Sequence, residues 1–130
     1  MGASDVIAET DRVILRPWRE IPAGTVLLKP LPDGAGEIEI GWHFHPDSWG
    51  RGLVTEAARA LLARGFALGL AEIWAVTDPQ NQQSVRVCEK LGMRLLGATH
   101  RWYHELSLMF WIGAHEGQQP TISPDGPAPA

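Results

Sequence analysis

A single cysteine, Cys88, stands among 130 residues, so no disulfide can form within the chain, as suits a reducing cytoplasm. Long apolar runs are also missing. The most apolar region, Ala57 to Val76, is interrupted by Arg59, Arg64 and Glu72, so no membrane span is expected. Residues 1–20 include Asp5, Glu9 and Asp11 and no sustained apolar stretch, so no secretory leader is expected. Basic residues are the minority, 11 Lys and Arg against 15 Asp and Glu, and the net charge of −4 argues against nonspecific nucleic-acid binding. His43, His45, His100, His104 and His115 have no cysteine or carboxylate at metal-site spacing, so no metal is expected.

What is present fits one domain. With 45% apolar and 20% charged residues, the chain can close a single core without covalent staples. Six tryptophans, among them Trp42, Trp49, Trp74, Trp102 and Trp111, fall mainly at strand positions and turn ends. Packing in a core or interface suits them better than a stacking platform for bases or sugars.

Periodicity divides the chain into alternating strands and helices. Arg12 to Trp18 and Thr25 to Leu31 read as strands, and Glu37 to Phe44 completes an antiparallel hairpin through the Pro32–Gly36 turn. Apolar residues from Val54 to Leu68 recur at helical spacing, with Gly69 as a stop. Ile73 to Thr77 is a buried strand, broken by Asp78-Pro79. Asn81 then opens a second helix, whose inner stripe is Val85, Val87, Cys88 and Leu91 and which ends at Gly92. Met93 to Ala98 and Glu105 to Ile112 are the last strands. Residues 1–9 read as a flexible start, 10–112 as the domain, and 113–130, rich in Gly, Gln, Pro and Ser, as a disordered tail.

The stretch Trp49-Gly50-Arg51-Gly52-Leu53-Val54 places two glycines where a strand hands over to a helix. Glycine allows positive φ and close approach of an anion, and the free amides of a helix start favour negative charge. A Walker loop would need Lys-Ser/Thr after its last glycine, and a dinucleotide fingerprint would need a third glycine where this chain has Thr55. The motif alone also fits an ordinary glycine turn at a core helix. One helix and one strand later comes Asn81-Gln82-Gln83-Ser84-Val85-Arg86-Val87-Cys88-Glu89-Lys90-Leu91-Gly92-Met93.

Together with Thr10 to Trp18 and the strand Glu37-Ile38-Glu39-Ile40-Gly41-Trp42, these segments resemble the GNAT acetyltransferases, most closely their RimJ/RimL-like branch. The resemblance implies an α/β fold with a mixed sheet, abbreviated after the first strand: family members carry two helices where this chain has only Arg19 to Gly24. It also implies acetyl-CoA as co-substrate and a primary amine, either a protein N-terminus or a small molecule, as acceptor. The alternative is a GNAT-like module that binds coenzyme A or a protein partner without turnover. The missing helices would leave apolar and tryptophan side chains of the sheet uncovered, so a homodimer or a sticky, marginal monomer is expected.

The resemblance assigns the coenzyme pyrophosphate to Trp49, Gly50, Arg51, Gly52, Leu53 and Val54, and the pantetheine arm or an active-site water to Asn81, which could equally serve as a helix cap. Asp47 stands where many members have Gln or Arg. The arm would lie where Glu39–Phe44 and Ile73–Thr77 splay. Acyl transfer needs a base for the ammonium and a donor for the thiolate. Glu39 matches the family's Glu-Ile-Gly strand as base, with Glu37 and His43 as alternatives on its face. Ser84 matches the serine after the branch's asparagine and is the expected donor to sulfur; it also counts among the cofactor contacts. Cys88, where many members have tyrosine, and Tyr103, in the final loop, are the other candidate donors, although a cysteine there is more often a small buried hydrophobe.

Overall fold

The computed structural model describes residues 8–10, 14–15, 24–32, 34, 36–45, 52–103 and 105–122. Its elements run β1 (Ala8–Glu9), β2 (Ile14–Leu15), β3 (Gly24–Pro30), β4 (Ile38–Phe44), α1 (Leu53–Ala67), β5 (Glu72–Thr77), α2 (Gln82–Lys90), β6 (Arg94–Thr99) and β7 (Ser107–Gly113). The order matches the α/β reading. Among the described residues no helix precedes α1. The shortened connection falls in residues 16–23, outside the described residues, as do Asp47, Trp49, Gly50 and Arg51.

Five strands form one mixed sheet in the order β3-β4-β5-β7-β6, and β1 and β2 form a separate antiparallel pair. That small pair takes in Ala8–Glu9, which composition assigns to a flexible start. Within the main sheet only β4 and β5 run parallel, because α1 carries the chain from one to the other. Their ladder is registered at a single pair, Glu39 opposite Trp74. Beyond it both strands line a common opening.

Each face of the sheet has its own core. On one face, α1 and α2 cover Ile40, Ile73, Ala75 and Phe110 with Val54, Ala58, Leu62, Val87, Cys88 and Leu91. Helix α1 lies close because Gly65 faces the sheet: a Cβ there would sit 3.1 Å from Ile73 and 3.2 Å from Leu28. The other face carries no described helix. Trp74, Trp102, Trp111, Leu31 and Met109 close it instead. The expectation of exposed tryptophans therefore fails for these three, since Trp74 and Trp102 are 0% exposed and Trp111 is 6%. The loop after β6 folds Trp102 into this cluster, on the face that carries no described helix.

The residues after β7 also depart from expectation. Ala114 N–H and the Gln118 amide both donate to the Ala71 carbonyl, at 3.0 and 2.8 Å, and Thr121 Oγ1 donates to Glu72 at 2.5 Å. Ile122 packs on the tryptophan cluster. Composition cannot show this, because Gln118 and Thr121 find partners more than 40 residues upstream, which no local pattern specifies. No described helix is long and apolar enough to cross a membrane.

Candidate active site

The glycine turn leads into α1 through Gly52, whose φ of 76° places it in the left-handed region at the helix N-cap. The first helical bond runs from Glu56 N–H to the Gly52 carbonyl at 3.0 Å, so the N–H groups of Leu53, Val54 and Thr55 have no acceptor within the helix. Backbone donors thus stand free where the anion is expected. The Val54 side chain is only 3% exposed and belongs to the core, so its contribution to such a site is confined to its amide.

Where β4 and β5 part, a cleft of about 350 Å³ opens, lined from β4 by Glu39 to His43, from β5 by Ala75 to Thr77, and from α2 by Ser84 and Cys88. It passes between the sheet's two faces: Glu39 points to the helix-free side and Ile40 into the helix-side core. Glu39 is 3% exposed, and burial pushes its carboxyl up to about 7, against the opposing pull of Lys29. A carboxylate that titrates near neutrality can accept and release a proton under ordinary conditions.

Two groups meet Glu39 Oε1. Lys29, opposite Glu39 in the β3–β4 register, places Nζ 3.6 Å away, and the Tyr103 hydroxyl donates a hydrogen bond to the same oxygen. Glu37 does not join them. It stands in the turn before β4, its carbonyl accepts from Leu31 N–H at 2.8 Å, and its carboxylate lies beside Gly34. The strand begins at Ile38, so shared-face spacing fails for a residue that is not in the strand. His43 lines the cleft as an exposed side chain.

Helix α2 supplies the opposite wall. Asn81 is its N-cap, its side chain accepting from Ser84 N–H at 3.1 Å, so the capping role is realised while Asn81 also faces the cleft. Trp42 Nε1 donates to Ser84 Oγ at 3.0 Å. With that lone pair engaged, the Ser84 hydroxyl hydrogen is free to be donated elsewhere. Cys88 reaches the same wall but is 0% exposed, and burial pushes its thiol up to about 12. Such a thiol is a weaker acid than an ordinary one of about 8.5, which disfavours it as the donor to a thiolate. Its place in the core is that of a small hydrophobe.

Lys29, Trp42 and the bond from Tyr103 to Glu39 have no signal in the sequence. Lys29 reads as a solvated strand residue, and its place opposite Glu39 depends on the hairpin register. Trp42 lies on the face opposite to Glu39 in β4 and meets Ser84 only because α2 packs there. Among the described residues no group of three or more His, Cys, Asp or Glu could hold a metal.

A family model described as an acetyltransferase (GNAT) domain matches residues 11–94, a stretch that includes β4, α1, all of α2 and the cleft lining except Tyr103. The chain belongs to the GNAT acetyltransferases. An uncharacterised N-acetyltransferase of Bacillus licheniformis, p20, is 30% identical over 95 residues, 72% of this chain and 48% of the relative. Another from Bacillus subtilis, YnaD, is 43% identical over 65 residues, 49% of this chain and 38% of the relative. The chain thus spans less than half the length of these two relatives. Among solved structures, a GNAT-family acetyltransferase from Bacillus anthracis superposes with a TM-score of 0.61 at 31% identity, covering 79% of this chain and 65% of that one. Mycobacterium smegmatis RimJ in complex with CoA-disulfide gives 0.63 at 28% identity, covering 75% and 50%.

Proposed function

We propose that this GNAT domain transfers the acetyl group of acetyl-CoA to a primary amine, a protein N-terminus or a small-molecule amine, by direct attack. The observation that carries the reading is Glu39, a buried carboxylate titrating near 7 in a cleft between parting parallel strands. Likeness to RimJ in complex with CoA-disulfide supports both the RimJ/RimL-like branch and the coenzyme. The pyrophosphate would rest on the free amides after Gly52 and the pantetheine arm in the cleft beside Asn81. Glu39 takes the ammonium proton, directly or through water; the freed amine forms a C–N bond to the thioester carbonyl carbon, and the C–S bond breaks. Ser84 passes a proton to the departing thiolate and regains one from the attacking nitrogen, which sheds its second proton as the amide forms, so that Glu39 ends protonated and Ser84 neutral.

Titration calorimetry with acetyl-CoA, followed by thiol release over a panel of amines and N-terminal peptides, tests the proposal. Thiol release with an acceptor supports it; binding without release across the panel supports the second reading, a coenzyme-binding or protein-interaction module. That reading rests on the short connection from Arg19 to Gly24, where family members carry two helices. Ser84→Ala is expected to slow the chemical step about a hundredfold with near-normal KM for acetyl-CoA. An unchanged kcat in Ser84→Ala assigns the donor role to another group.

Self-association would rest on the exposed apolar side chains that remain outside the buried tryptophan cluster. Leu27 on β3 and Leu106 before β7 are 37% and 47% exposed, and a second copy of the chain would bury such side chains. Light scattering across a concentration series is expected to show a homodimer. A monomer at high concentration with full transferase activity would mean that the short connection before β3 is a working architecture in a single chain.

A further inference from the structure

We infer that Tyr103 is a positioning residue for Glu39, its phenol holding one carboxylate oxygen so that the other is turned toward the acceptor amine. The inference rests on the reading of Glu39 as the base. Tyr103 has φ 57°, and it is the one non-glycine residue with positive φ among the described residues. For an L-residue with a bulky side chain that conformation is strained. Burial does not offset the cost, since Tyr103 is 42% exposed. The side chain is directed into the cleft: the hydroxyl donates to Glu39 Oε1, and Lys29 Nζ lies 5.2 Å from the ring centroid.

The neighbouring Trp102 explains how the strained residue is held. It is 0% exposed in the tryptophan cluster, and Arg101 stacks over its ring at 4.5 Å, so the chain just before Tyr103 is anchored to the sheet. The left-handed turn then directs the phenol back over the end of β4 rather than outward.

Occupancy of the carboxylate is one-sided. Lys29 from β3 and Tyr103 from the β6–β7 loop both meet Oε1, and among the described residues none meets Oε2. From β5, Glu39 is faced by Trp74, which carries no charge. His43, Asp78 and Cys88 line the same cleft at greater remove and are not bonded to the carboxylate. The free Oε2 is therefore the oxygen that would receive the ammonium proton, and the hydroxyl on Oε1 favours the ionised carboxylate that must receive it. Tyr103 touches the base rather than the reacting atoms.

The test follows the Glu39 carboxyl carbon by NMR in protein labelled at glutamate, with and without Tyr103→Phe. Loss of the hydroxyl is expected to raise the Glu39 midpoint by about one pH unit, a tenfold change in proton affinity. The acidic limb of kcat/KM should move up by the same amount, with KM for acetyl-CoA unchanged. Tyr103→Gly, which also removes the backbone strain, is expected to give the same shift with Tm unchanged or raised. An unchanged or lowered Glu39 midpoint in both variants overturns the inference, and so does a Tyr103→Gly protein that loses stability while its Glu39 titrates normally. The NMR titration needs no turnover, so it decides the role of Tyr103 even if acetyl transfer fails.

Discussion

Glu39→Gln is expected to lower acetyl transfer about 10²- to 10⁴-fold at neutral pH, the range for loss of a positioned general base. The loss has a distinctive pH dependence. In the unaltered protein the carboxyl titrates at about 7, so the rate rises with pH as the carboxylate forms. Glutamine cannot take a proton, and the variant must wait for the fraction of acceptor that is already a neutral amine. That fraction grows toward the amine pKa, about 10 for a lysine-like amine and nearer 8 for a protein N-terminus. The deficit should therefore shrink as pH rises, and sooner with a peptide acceptor than with an alkylamine. Rate profiles on two acceptors measure this directly; an equal loss at every pH on both would assign Glu39 a structural role.

The same substitution should stabilise the fold, which separates loss of chemistry from loss of structure. Glu39 has its folded midpoint above its unfolded one of 4.5, so between about 4.5 and about 7 the folded state binds more protons than the unfolded state. Stability accordingly falls as pH rises through that window and stays lower above it, where the buried carboxylate is charged. Glutamine has no such dependence. At pH 8 Glu39→Gln should be more stable by roughly 1–3 kcal/mol, a figure already net of the opposing pull of Lys29, and near neutral at pH 4. Thermal melts at the two pH values read the difference.

The sequence makes the strands and helices of the main sheet legible because their signals are local. Alternation marks Ile38 to Phe44, helical spacing marks Leu53 to Ala67, and Gly92 closes α2. Glu39 and Ser84 are legible as candidates for a different reason, since each sits in a segment resembling a known family. Their surroundings are not. The β3–β4 register sets Lys29 against Glu39, the loop after β6 bends Tyr103 back to the same oxygen, and the packing of α2 brings Trp42 to Ser84. These contacts join residues 10 to 64 positions apart, and no pattern within a single element specifies them. Cys88 has both signals in the sequence, a motif position that suggests chemistry and a place in the inner stripe of α2 that suggests packing, and its complete burial favours packing.

Gly52→Val is expected to weaken acetyl-CoA binding about tenfold or more while leaving the domain folded. At φ 76° Gly52 occupies the left-handed region, where a valine is disfavoured by about 1–2 kcal/mol. Valine would relieve that strain by rotating the turn, which moves the amides of Leu53, Val54 and Thr55 away from the direction they now share; about 1.4 kcal/mol of lost interaction is one decade in Kd. A branched Cβ also obstructs an anion approaching those amides. Strain alone could lower affinity by loosening the fold, so the comparison needs a second glycine. Gly92 has φ 80° after α2, with nothing within 4 Å of a Cβ built there, and it lies outside the cleft wall. Gly92→Val imposes the same backbone strain without touching the turn. Calorimetry on both variants, each shown to be folded by circular dichroism, should give weakened binding for Gly52→Val and near-normal binding for Gly92→Val. Equal losses would trace the effect to general destabilisation and remove the pyrophosphate from the start of α1.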